Sequence, residues 1–289
     1  MSFSSSPRAV PVEVDGRRVV SCDLTFEVVE PAEVVLQVEV SSSSGAVRDE
    51  RFVVRSDDGT EADITEHAGT DGARVQVIRC GAGHLSVAYR AEVDTTGHPA
   101  AGEHRAEPRD LVRLTYLRPS RYCPSDHLVG FAVSEFGTGS PTRDRVASIN
   151  HWISTRVGYV AGSSTVHDSA EDTLLTGMGT CRDFAHLGVA LCRAVGIPAR
   201  FTAVYAPGLS PMDFHAVFET LEDGQWWVHD ATMLAPRQAM VRIATGRDAT
   251  DAAFASITRG VATLETVGIT ATVTGDLPVD DRSLGVHLP

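Results

Sequence analysis

The sequence predicts an α+β protein in which a β-rich N-terminal region precedes a mixed core. Residues 10–93 alternate apolar and polar positions in short runs separated by turn residues, which is typical of an antiparallel sheet or sandwich. Residues 140–157 and 181–195 instead repeat apolar side chains at three- and four-residue steps, which predicts two amphipathic helices. Strands at 199–205, 214–221 and 225–231 follow them. Strands grouped first and helices packed with later strands are typical of the α+β class.

The length of the chain, 289 residues, suits one large or two modest domains. Residues 94–110 combine small, Gly, Pro and charged residues without any period, as a linker does. We therefore place a β-rich accessory domain, similar to an antiparallel sandwich, at residues 1–105. A core with C-terminal strands is expected at 106–289. Towards its end, 248–257 predicts a short helix and 261–274 a strand.

Composition narrows the classes of partner and compartment. The net charge of −13 argues against nucleic acid and anionic membranes as partners. No run of 18 apolar residues suggests a membrane span, and the first ten residues lack the apolar run of a secretion signal, so we expect a cytoplasmic protein.

Five cysteines without a CxxC pair argue against disulfides or a zinc cluster. Without an HExxH motif or an Asp-rich calcium loop, neither a metal nor a cofactor is expected.

The first candidate for chemistry is Cys181, at the start of the second predicted helix. Two glycines and a threonine precede it, and Gly196 and Pro198 follow the helix as stop signals. Free backbone N–H groups and the positive end of the helix dipole favour a thiolate at this position. Cys181 is therefore a candidate nucleophile, with a buried cysteine packed at a helix end as the alternative.

An Asp-Gly pair after residue 222 predicts a hairpin that relates two further polar residues. A loop at 222–223 places His215 directly opposite Asp230. A loop at 223–224 makes Asp230 the diagonal neighbour of His215 on the same face, whereas a three-residue loop without a bulge would separate them. In the first two registers Asp230 can accept a hydrogen bond from the ring, which fixes its tautomer and stabilises an imidazolium.

Together, Cys181, His215 and Asp230 supply a nucleophile, a base and a group that orients the base. A thiolate–imidazolium pair can attack a carboxamide or thioester carbonyl, and the histidine can then protonate the leaving group. The backbone N–H of Cys181 is a natural oxyanion donor. Taken singly, His215 could be an ordinary core or surface histidine and Asp230 a turn residue, so the inference depends on their combination.

Four segments resemble core motifs of the transglutaminase-like superfamily: Gly179–His186, Gly196–Arg200, Phe214–Glu219 and Trp227–Thr232. The chain is similar to the bacterial, cysteine-protease type of this superfamily, whose members have a β-rich domain ahead of the core. The similarity covers about residues 111–275. It implies a papain-like α+β core and a Cys181–His215–Asp230 triad.

One feature of the papain pattern is missing, because Leu175 stands where the oxyanion glutamine would lie, six residues before Cys181. The side chain that completes the oxyanion hole stays open. Trp152 and Tyr122 are conceivable donors, and packing is the alternative for each.

These observations favour a thiol-dependent acyl hydrolase, a cysteine peptidase or amidase that cleaves an amide or isopeptide bond of a peptide or protein through an acyl-enzyme on Cys181. One alternative is a protein-glutamine transglutaminase, which passes the acyl group to an amine. The chain contains no lysine, so it cannot crosslink itself through Gln–Lys bonds. A second alternative is a non-catalytic binding module on the same fold. The sequence leaves the substrate, the choice of hydrolysis or transfer, and the oligomeric state open.

Overall fold

The computed structural model describes residues 16–57, 62–95 and 109–289. Its strands are β1 (Arg17–Leu36), β2 (Ala46–Ser56), β3 (Asp63–Ala68), β4 (Arg74–Cys80), β5 (Gly83–Asp94), β6 (Gly158–Tyr159), β7 (Met178–Gly179), β8 (Ala199–Tyr205), β9 (Phe214–Glu222), β10 (Gln225–His229), β11 (Val241–Gly246) and β12 (Ala255–Val273). Its α-helices are α1 (Arg109–Thr115), α2 (Val129–Phe136), α3 (Thr142–Arg156), α4 (Ala170–Thr176) and α5 (Cys181–Ala194). The α+β class is confirmed.

The first sheet is organised around β1. Alternate residues of this strand, such as Leu24 and Phe26, are fully buried, as the period of two predicts. One edge of β1 pairs with β5 and then with β4, while β12 pairs antiparallel with its other edge over most of its length. The described strands thereby form a six-stranded antiparallel sheet.

The pairing of β12 with β1 bears on the predicted division of the chain. β12 lies in the second predicted domain, at 106–289, yet it completes the sheet of the first. The boundary itself, between residues 105 and 106, lies outside the described residues, so the division stays a prediction.

The prediction of a helix over 248–257 was wrong. Asp248 Oδ1 accepts the N–H of Thr250 at 2.9 Å, and Asp251 Oδ2 accepts the N–H of Arg247 at 2.9 Å. Such local side-chain bonds satisfy backbone groups in a turn and compete with the helix. The segment is therefore a turn that leads into β12 at Ala255.

The second sheet, in the order β10–β9–β8–β11, supports α5. The sequence predicts one buried face for this helix, but residues 183–193 are all buried because α5 lies between the sheet and the helices α2, α3 and α4. Helix and sheet approach closely at Gly188, where an added Cβ would lie 2.5 Å from the Phe218 ring. The helix that begins at Cys181 is thus a rigid, central element.

Candidate active site

Cys181 is the first residue of α5, as the sequence predicts. Thr180 caps the helix, and the Asp183 carboxylate accepts the N–H of Thr180 at 2.8 Å in a capping box. Burial raises the pKa of Asp183, but hydrogen bonds from Ser164, Thr180 and Arg182 lower it more, so this carboxylate stays charged. The cap fixes the position of the half-buried cysteine at the positive end of the helix.

The hairpin places His215 and Asp230 together. The loop consists of Asp223 and Gly224, both at positive φ (51° and 79°), and Gln225 pairs with Glu222. This is the second of the two registers that the sequence allows, with Asp230 diagonal to His215. His215 Nε2 lies 3.2 Å from Asp230 Oδ2, and both side chains are buried.

Asp230 is held on its other oxygen as well. Its Oδ1 accepts the N–H of Thr232 at 2.9 Å and the Thr232 hydroxyl at 2.7 Å. Burial raises the pKa of Asp230, but the charge and hydrogen bonds from His215 and Thr232 lower it below the usual range. A buried carboxylate with both oxygens bonded is well suited to orient an imidazole.

The electrostatics of the pair favour a charged ring. Burial lowers the pKa of His215, but the Asp230 charge, the Asp230 hydrogen bond and the Cys181 sulfur raise it more, from 6.5 to about 10. The imidazolium is therefore the main form at neutral pH.

The sulfur of Cys181 lies close to the strand that carries His215. Its Sγ is 4.0 Å from the carbonyl oxygen of Phe214, the residue before His215. The Nδ1 atom of His215, the nitrogen not bonded to Asp230, is buried and has no hydrogen-bond partner among the described residues. The Cys181 sulfur is near enough to His215 to raise the pKa of its ring. The three side chains selected from the sequence thus converge in one cluster.

A fourth residue of the cluster, Tyr159, escaped the sequence analysis. The parallel pair β6–β7 sets Tyr159 beside Gly179, two residues before Cys181. Burial raises the pKa of the Tyr159 phenol to about 12, together with the Cys181 and Asp213 charges. The ring also lies 5.9 Å from that of Phe184, centroid to centroid, and is 44% exposed. The two-residue strands that position it are too short for periodicity to reveal.

The two aromatic residues suggested as oxyanion donors have other contacts. Trp152 packs edge-on against Phe131, with ring centroids 5.4 Å apart, within the core cluster around α5. The Tyr122 hydroxyl donates to the carbonyl of Val166 at 2.7 Å, and its ring stacks on His186. Leu175 is 84% exposed. These contacts favour packing roles for Trp152 and Tyr122.

Burial affects the pKa of each of the other four cysteines. All five thiols are free, and burial raises the pKa of Cys22 to about 11 and of Cys123 to about 12. Burial also raises the pKa of the buried Cys192 and of the half-buried Cys80. Among residues 16–57, 62–95 and 109–289, no group of three or more His, Cys, Asp and Glu side chains could hold a metal ion.

Two features define the class of the protein. A cysteine begins a buried helix, and a buried histidine on the adjoining sheet is hydrogen-bonded to an aspartate that directly follows the next strand. The chain belongs to the transglutaminase-like superfamily, whose family model matches residues 132–231 and so includes Cys181, His215 and Asp230.

Particular relatives support this assignment. The crystal structure of a "Putative Cysteine Protease from Cytophaga hutchinsonii" is 35% identical and superposes with a TM-score of 0.82, covering 93% of this chain and 96% of that one. "Uncharacterized protein ML0607" of Mycobacterium leprae (strain TN) is 30% identical over 148 residues, which are 47% of this chain and 52% of that protein. The chain thus matches about half the length of this curated relative. None of the described helices is long and apolar enough to cross a membrane.

Proposed function

We propose that the protein is a thiol-dependent acyl hydrolase that cleaves an amide or isopeptide bond of a peptide or protein substrate through an acyl-enzyme on Cys181. The proposal depends on the buried His215–Asp230 pair. Its Nε2 and Oδ2 are 3.2 Å apart, its Nδ1 has no hydrogen-bond partner among the described residues, and the Cys181 sulfur is near enough to raise the pKa of the ring. In a purely structural His–Asp pair, the second ring nitrogen would be expected to have a hydrogen-bond partner, because buried polar atoms are ordinarily paired.

In the acylation step, the Cys181 thiolate attacks the substrate carbonyl and forms a C–S bond. The His215 imidazolium gives its Nδ1 proton to the leaving amine as the C–N bond breaks, which leaves a thioester and a neutral imidazole. His215 then takes a proton from water, and the resulting hydroxide attacks the thioester. The acid product leaves and the thiolate–imidazolium pair is restored. Asp230 stays charged and keeps the ring oriented throughout.

The negative oxygen of the tetrahedral intermediate needs donors near Cys181. The backbone N–H of Cys181 is among the first N–H groups of α5, which have no acceptor inside the helix. Tyr159 is the second donor of this proposal, because its phenol lies beside Cys181 and its pKa of about 12 keeps the O–H protonated. Tyr159 then takes the role of the glutamine that the sequence lacks.

The proposal is tested by offering peptide substrates two acyl acceptors, water and methylamine. The full chain is incubated with glutamine-containing peptides, with and without methylamine, and products are identified by mass spectrometry. Cleavage or deamidation that persists with methylamine supports hydrolysis, while products that are mainly methylamides would assign transglutaminase activity instead. Cys181→Ser should abolish turnover, and Cys80→Ala, which alters the other half-buried thiol, should not. No reaction in any arm, together with no faster iodoacetamide labelling of Cys181 than of Cys80, would indicate a non-catalytic module.

The cytoplasm is the compartment that we propose for this activity. Support comes from the five free thiols, which persist most readily in a reducing compartment.

A further inference from the structure

The outer edge of the first sheet is a long strand of unusual composition. β12 spans 19 residues, contains no proline and carries two charged side chains, Arg259 and Glu265. Within residues 16–57, 62–95 and 109–289, β1 is the strand that pairs with β12, so one whole edge of β12 presents unpaired backbone groups. An edge of this length without proline and with few charges is a ready template for another strand.

The β1 partners of β12 show which side chains share a face. Bulges near Gly260 and Glu265 interrupt the simple alternation, so the faces follow from the pairing. Ile257, Ala262 and Val267 lie opposite Val34, Val28 and Leu24, whose side chains are buried, and therefore belong to the inner face.

The charged residues lie on the opposite, outer face. Arg259 is opposite Glu33. Glu265 Oε2 lies 3.4 Å from Nδ1 of His84, which is itself the partner of the exposed Glu27. Val261 and Thr263, the partners of Glu30 and Glu27, share this face.

This distribution makes β12 complementary to itself. In an antiparallel pair of two β12 strands with the twofold axis at Ala262, Arg259 of each copy faces Glu265 of the other. Ile257, 37% exposed, then faces Val267 of the second copy, 42% exposed. Val261 faces Thr263. Each of these pairs joins residues on one face of the sheet, and both charges of the strand find an opposite partner.

We propose that the β12 edge is a docking surface for a second copy of this chain, which pairs antiparallel through β12 in the register centred on Ala262. The two sheets then join into one continuous sheet, and the exposed apolar side chains at 257 and 267 become covered. A second copy is the occupant because it brings the matching charges at the matching positions, whereas a strand of arbitrary sequence supplies only backbone hydrogen bonds. This inference does not depend on the proposed enzymatic function.

A charge-reversal series tests both the association and its register. Sedimentation velocity on the full chain should give twice the mass of one chain. Arg259→Glu places two pairs of carboxylates face to face, and Glu265→Arg two pairs of guanidinium groups, so each variant alone should sediment as a monomer. An equimolar mixture of the two variants restores both opposite-charge pairs and should sediment as a dimer. The double variant Arg259→Glu with Glu265→Arg should dimerise by itself.

A cross-linking experiment checks the position of the axis. In a Cys80→Ala, Cys181→Ala background, Ala262→Cys should form an intermolecular disulfide on mild oxidation, because directly opposed residues bring their Cβ atoms within about 5.5 Å. Thr270→Cys, exposed on the same strand but away from the axis, is the control and should stay largely uncrosslinked. A wild-type chain that sediments as a monomer overturns the proposal, as do single variants that stay dimeric, a mixture that fails to associate, or equal cross-linking at both positions.

Discussion

Replacing Asp230 with asparagine removes the charge that opposes the burial of His215. Burial is the largest influence on the pKa of this histidine and lowers it. The Asp230 charge and hydrogen bond, followed by the smaller influence of the Cys181 sulfur, reverse the balance and bring the pKa to about 10. With a neutral amide at 230, burial prevails and the pKa of His215 should fall below its ordinary 6.5. Asparagine keeps the size of the side chain, so the change is mainly electrostatic.

The expected effect follows from the two pKa values. At pH 7.5, a histidine with a pKa of about 10 is more than roughly nine-tenths protonated, and one with a pKa below 6.5 is less than about one-tenth protonated. The charged form of His215 should therefore become at least about tenfold rarer. Loss of the correct tautomer adds to this, and the same carboxylate-to-amide change in a serine-protease triad costs about 10⁴-fold in kcat. We expect the kcat of Asp230→Asn to fall by a factor between about tenfold and about 10⁴-fold.

The assay is the rate at which iodoacetamide alkylates Cys181, measured from pH 5 to pH 11 by mass spectrometry. The wild-type profile should keep an imidazolium-dependent component up to a pH near the His215 pKa of about 10, and Asp230→Asn should lose it several units lower. Thr232→Val is the matched control, because it removes a hydroxyl that Asp230 accepts at 2.7 Å and keeps the charge. Identical profiles for Asp230→Asn and wild type would refute the reasoning.

The same pair links stability to pH. Since the folded-state pKa of His215 is raised above its unfolded value of 6.5, its contribution is complete below about pH 6.5 and is lost as the pH rises through about 10. The fall in melting temperature between these values should be smaller in Asp230→Asn than in wild type. An equal fall in both proteins would exclude a charged His215–Asp230 pair.

Two further substitutions probe the oxyanion site and the packing of α5. Tyr159→Phe should lower kcat by about 10²-fold with little change in KM, because a lost oxyanion donor acts mainly on the transition state; an unchanged kcat would remove Tyr159 from the mechanism. Gly188→Ala should destabilise the protein by about 1–3 kcal/mol, because its Cβ would lie 2.5 Å from Phe218. Gly130→Ala in α2 is the control, because nothing lies within 4 Å of that added Cβ. Its melting temperature should stay the same or rise. Equal losses of stability in the two variants would contradict the packing argument.

The sequence by itself determined the parts of the site that depend on short-range rules. Gly179, Thr180 and the apolar stripe after Cys181 define a helix start within a few residues. Asp223 and Gly224 predict a tight hairpin, and the two-residue period of the strands then places His215 and Asp230 on one face. Turn chemistry and cross-strand geometry are local, so these relations could be predicted without the rest of the chain, although the choice between two hairpin registers required the structure.

Tertiary structure decided everything that depends on contacts between distant segments. β12 completes a sheet that begins more than 200 residues earlier, and no local period indicates which strand it joins. Tyr159 is placed beside Gly179, two residues before Cys181, by a two-residue parallel pair. The turn at Asp248 is joined to a distant part of the chain, because its carboxylate accepts the N–H of Tyr122 at 3.0 Å. The free energy of such contacts depends on which surfaces meet, and that is settled only when the whole chain packs.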